Sequence, residues 1–120
     1  MDDNLAVVLR HFYLSVLIFQ ESPGAWVAQG LEHDIAAHGA DVETAKVAFE
    51  RTLAGYFTMS LKSRREPLAS LPGPAPEQYW EAWRKVTERQ TEKVPASDDP
   101  SIPPAYIVQA VTNESVTTIQ

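Results

Sequence analysis

The sequence has no cysteine. That absence excludes a disulfide framework, a thiolate metal site and a cysteine nucleophile, and it is compatible with a cytoplasmic location. Basic residues are also scarce. Ten Lys and Arg stand against 16 Asp and Glu, for a net charge of -6 and a pI near 4.9. A general nucleic-acid binder announces itself by a basic patch, and this balance argues against one. It favours a basic partner instead, met through complementary fields. No apolar run is long enough to span a bilayer. The longest, Leu5 to Phe19, covers 15 residues and carries Arg10 and His11, where a spanning helix needs about 20. Asp2 and Asp3 precede it, whereas a secretory signal starts with basic residues. The expectation is a soluble protein of the cytoplasm. Metal-ligand spacings are missing too. His33 and His38 are five apart and would point to opposite faces of one strand, and His11 stands alone. No G-x-S-x-G elbow supports a Ser/His/Asp triad. Neither metal nor cofactor is expected.

What is present is enough for one domain. The chain has 120 residues, 44% of them hydrophobic, within the usual size of a single domain. A chain this short buries only about two-thirds of its unfolded surface, so self-association would add stability and a homo-oligomer is expected. From Phe12 to Phe19 the residues are β-formers and nearly all apolar, which predicts a strand covered on both faces or one in an internal position of the sheet. Glu21-Ser22-Pro23-Gly24 supplies a turn. A second strand, about Ala25 to Leu31, places Trp26, Ala28 and Gly30 on one face and Val27, Gln29 and Leu31 on the other. Glu32-His33-Asp34 makes a polar corner, and Ile35 to His38 a third strand ended by Gly39. Asp41 is a good N-cap for a helix whose apolar stripe runs from Ala45 to Phe57. On its other face, Lys46 and Glu50 are spaced to pair. Gly55 inside this helix costs about 1 kcal/mol relative to Ala, unless another element comes close there. A proline-rich connector, Pro67 to Pro76, leads to a second helix at about 76–91 with Tyr79, Trp80, Trp83 and Val86 on one stripe. After loop-like residues 95–104, a last strand spans 105–112. The order β-β-β-α-α-β predicts an α+β domain with its sheet covered on one face.

Within this order, one segment resembles a known family. The run Trp26-Val27-Ala28-Gln29-Gly30-Leu31-Glu32-His33-Asp34-Ile35-Ala36-Ala37-His38-Gly39, followed by the acid-capped helix from Asp41 to Phe57, resembles the second and third strands and the helix of HicB-like antitoxins. The resemblance covers about Tyr13 to Phe57, with Tyr106 to Val111 as the closing strand. It implies a partial RNase-H-like fold, β-β-β-α-β, with a three-to-four-stranded, mainly antiparallel sheet and one helix packed on it. The single domain would then comprise a core at 12–61 plus the strand at 105–112. Residues 62–104 would be an insertion bearing the tryptophan helix. The resemblance also implies a function, the binding and occlusion of a small basic RNA-cleaving toxin of the HicA kind. Many HicB-like proteins add a DNA-binding domain after this core. No such motif is visible after Pro67, so direct DNA binding is not expected.

An RNase-H-like fold raises the question of nuclease chemistry. Metal-dependent phosphodiester cleavage needs several converging carboxylates. The first strand offers none, and Glu32 with Asp34 is too thin a set. The expectation is therefore a binding protein and not an enzyme. Candidate partner contacts are Trp26, Glu32, His33 and Asp34, and on the second helix Trp80 and Trp83, since Trp is enriched among binding hot spots. If that second helix carries the contacts, the alternative is an orphan interaction module, of phage origin for instance, with an unrelated partner. The Lys62-Ser63-Arg64-Arg65 cluster is read as favoured by the helix C-terminus.

Overall fold

The computed structural model describes residues 12–62, 71–94, 105–113 and 116, with side chains from 13 to 59 in the first segment. His11 and the apolar start before Phe12 lie outside those residues. So do the basic side chains at 62–65, Pro67, the loop at 95–104 and most of the tail after Asn113. The protein is α+β. Strands β1 (Phe12–Ser22), β2 (Ala25–Gly30) and β3 (Ala36–Gly39) come first, then helices α1 (Val42–Lys62) and α2 (Glu77–Lys85), then β4 (Gln90–Val94) and β5 (Ala105–Thr112). They form one sheet in the order β3-β2-β1-β5-β4.

The first three strands form an antiparallel meander. Gly24 makes the first turn possible by adopting φ +74°, a region that residues with a Cβ avoid. The chain then returns to lay β5 parallel against β1, so that Leu14 faces Ile107 and Tyr13 faces Tyr106. β4 pairs antiparallel with β5 on the far side. Among the described residues the sheet is therefore mixed and five-stranded, where the resemblance implies three or four mainly antiparallel strands. The missed element is β4. Its sequence, QTEKV, buries only Val94, so the hydrophobic alternation that marks a strand is absent. The preceding helix also stops earlier than its stripe suggests. Val86 is already extended, at φ -74° and ψ 144°.

Both faces of the sheet are covered. On one face Leu14, Val16, Ile18, Ala28 and Ile107 pack under Ala45, Phe49, Leu53 and Phe57 of α1. On the other, Leu17, Phe19, Val27, Leu31 and Ala110 pack under Trp83 of α2, with Tyr79 and Trp80 beside it. This corrects the expectation of a sheet covered on one face, and the reason lies in β1. Leu14, Val16, Leu17 and Ile18 are each at most 1% exposed, as an apolar run predicts for a strand between two layers. α1 starts where the N-cap predicts. The Thr44 amide donates to the Asp41 carboxylate at 2.8 Å, and the Asp41 amide donates back to the Thr44 hydroxyl at 3.1 Å. The Thr44 amide, and after it the Thr44 hydroxyl, which lies 2.9 Å from the same carboxylate oxygen, hold the Asp41 carboxyl below its ordinary range. Gly39 lets this first turn close on β3, because a Cβ there would strike the backbone of Thr44 and Ala45.

Candidate interaction surface

The polar corner after β2 joins three parts of the chain. Gly30 donates its amide to the carbonyl of Ile35 at 2.7 Å, which closes a tight loop. Glu32 folds back on β1. Its two oxygens accept from the Ser15 amide at 2.7 Å and the Ser15 hydroxyl at 2.8 Å. Asp34 accepts from the Gln29 side-chain amide at 2.8 Å. His33 Nδ1 lies 2.6 Å from the carbonyl of Pro72 and donates to it. The Asp34 amide donates to Gly73 at 2.7 Å, and the Ala75 amide to Leu31 at 2.9 Å. The connector that carries Pro72 and Pro74 is thus fastened to the end of β2. Leu71 packs against the α1 layer and Ala75 sits in the α2 layer. The corner is the bracket around which the chain passes from one face to the other.

The six residues singled out in the sequence do not form one surface. Glu32, His33 and Asp34 stand together in the bracket. Trp26 is half-buried against the α1 layer, and Trp80 and Trp83 lie on the opposite face. Trp83 is 9% exposed. The Arg89 guanidinium lies 4.6 Å from its ring centre, and Arg89 also donates to the Trp83 carbonyl at 3.0 Å. The tryptophan helix is therefore a second core layer. Tyr79 and Trp80 are both half-buried beside Trp83.

A different cluster forms where α1 passes over β4 and β5. Lys46 does not take Glu50 as its ion partner. Its ammonium lies 3.8 Å from Glu43 and 3.9 Å from Glu92 of β4, and its side chain is only 17% exposed. The Gln109 amide, on β5, reaches Glu92 at 3.4 Å. Glu50 sits in the same group. Burial raises its carboxyl above the ordinary range, repulsion from Glu92 and then Glu43 adds to this, and Lys46 opposes it. Two carboxylates thus share one lysine, and the third, Glu50, lies within the field of all three. Next to them opens a recess of about 240 Å³, lined by Ile18, Val42 and Val111 together with Lys46, Glu88 and Gln90. Val111 is 49% exposed there. Sequence reasoning missed this ledge because Glu92 reaches it through strand pairing, and a local pattern carries no signal of that. Among the described residues no group of three His, Cys, Asp or Glu is placed to hold a metal ion. No described helix is long and apolar enough to cross a membrane.

No family model, curated protein or solved structure matches the chain.

Proposed function

We propose that this chain is a HicB-like antitoxin, or a protein derived from one, which binds a small basic RNA-cleaving protein in the cytoplasm and covers its active surface. The observation that carries this reading is the ledge of Glu43, Glu50 and Glu92 around Lys46. It is a negative surface on a sheet and helix that are already packed, and it can meet a basic partner without reorganising. Such complementarity speeds encounter and selects the partner. The element order β-β-β-α with a closing strand is the one the resemblance implies. The carboxylates of the corner support a binding role over nuclease chemistry, because Glu32 and Asp34 are turned to Ser15 and Gln29. The orphan-module alternative relied on the Trp80/Trp83 helix, and Trp83 of that helix is packed on the sheet.

The test is co-purification of the tagged chain from its host at low salt, followed by an RNA-cleavage assay on whatever is retained. The expected result is a stoichiometric complex with a small basic protein. That protein cleaves RNA when freed and is silent when bound, and the Glu43→Gln/Glu92→Gln double variant holds it more weakly. Failure to retain any basic RNA-cleaving protein would sink the antitoxin reading.

A further inference from the structure

Among the described residues, nothing pairs with the outer edge of β4. Gln90, Thr91, Glu92 and Lys93 are all exposed, and β5 pairs with only one side of the strand. The other edge strand, β3, is different. It is four residues long, and α1 packs chiefly against it and β2, its first turn closing on Gly39. Unpaired edge groups are a template for another strand.

The faces of β4 restrict what that strand can be. Gln90, Glu92 and Val94 point to the α1 side, where Val94 joins the core and Glu92 meets Lys46. Thr91 and Lys93 point to the α2 side, opposite Val108 and Tyr106. If a second copy pairs antiparallel, the two-fold axis is perpendicular to the sheet and the α1 sides coincide. The axis must then pass through a residue, because side chains directly opposite each other share a face. An axis at Glu92 sets carboxylate against carboxylate, and one at Lys93 sets ammonium against ammonium. Like charges directly opposed are destabilising. An axis at Thr91 sets the Gln90 amide against the partner copy's Glu92 twice over, with threonine against threonine in the centre. The same register places Arg89 toward Lys93 of the other copy. Arg89, however, is drawn back over the Trp83 ring and bonded to its carbonyl.

We propose that two copies of this chain pair through β4, antiparallel and centred on Thr91, to give one continuous ten-stranded sheet. The charges at Glu92 and Lys93 disfavour the two registers centred on them. The dimer also sets the two acidic ledges side by side across the axis. This inference does not depend on the antitoxin reading.

The absence of cysteine makes the test direct. Single variants Thr91→Cys, Glu92→Cys, Lys93→Cys and, on the other edge, His38→Cys are oxidised as full-length protein, and disulfide-linked dimer is followed with time. Residues opposite each other on the axis have Cα atoms about 4.5–5.5 Å apart, within disulfide range. Pairs displaced by two or more residues fall beyond about 7 Å and cannot bridge without backbone movement. Thr91→Cys is expected to cross-link more than about tenfold faster than the other three, and the unsubstituted chain to sediment as a dimer. Equal rates among the β4 variants, fastest linkage at His38→Cys, or a monomer in sedimentation would each overturn the proposal.

Discussion

Removing the Glu32 carboxylate tests whether the corner is a structural bracket. Glu32 satisfies the backbone amide and the hydroxyl of Ser15, a residue in the middle of the most buried strand. Hydrogen bonds to a charged acceptor contribute about 1.5–3 kcal/mol, and a donor left without an acceptor costs about 1–3 kcal/mol. Ser15 and Glu32 are each only half-buried, so water recovers part of the loss. Glu32→Ala is expected to lower the unfolding free energy by about 2 kcal/mol. That is a visible share of the roughly 5–15 kcal/mol typical of a domain. Glu32→Gln keeps one acceptor for the amide and should cost about 1 kcal/mol. Urea unfolding followed by tryptophan fluorescence measures both. A double-mutant cycle with Ser15→Ala should return a coupling of about 1 kcal/mol. An alanine variant within about 0.5 kcal/mol of the parent, or zero coupling to Ser15, would show that Glu32 does not hold β1 and that its contacts are incidental.

Other substitutions test the layers and the ledge. At Gly55 an added Cβ meets nothing within 4 Å, so Gly55→Ala should stabilise by about 0.5–1 kcal/mol. Gly39→Ala forces α1 off β3 and should cost about 1–3 kcal/mol; chemical denaturation of the two variants checks the opposite signs. Trp83→Ala should cost about 3–5 kcal/mol as a core truncation. Arg89→Ala should cost no more than about 1 kcal/mol as an exposed cation–π partner, and a reversed ranking in the same assay would show that α2 is not a core layer. Glu50 binds its proton more tightly folded than unfolded. Its ionised form therefore destabilises the fold at neutral pH, and this effect lifts as pH falls through the raised pKa. Glu50→Gln should raise the melting temperature at neutral pH and give no gain in acid. A gain independent of pH would remove the electrostatic explanation.

Much of the first half of the fold is legible residue by residue. The Pro23-Gly24 turn, the alternation in β2 and the Asp41 cap are local signals, and each is read by backbone chemistry within a few residues. The apolar run in β1 marks a central, buried strand, but the element order predicts a sheet covered on one face, and only the packing of α2 supplies the second layer. The ledge was not legible. Lys46 has Glu50 four residues away, a reasonable partner on an isolated helix, yet it turns to Glu43 and Glu92. The corner was legible as a cluster of polar residues but not as a bracket. Ser15 and Pro72, which engage Glu32 and His33, are 17 and 39 residues away.

The sequence alone determined the class of the domain, its meander, its capped helix and the absence of thiol chemistry, because propensity, capping and turn formation act over short stretches of chain. Tertiary structure alone decided three things. The polar segment at 90–94 became an edge strand, the tryptophan helix became the second core layer, and the acidic residues gathered around Lys46. Each depends on which distant segments pair across the sheet. Partners supplied from far along the chain then override the local preference that a sequence pattern records.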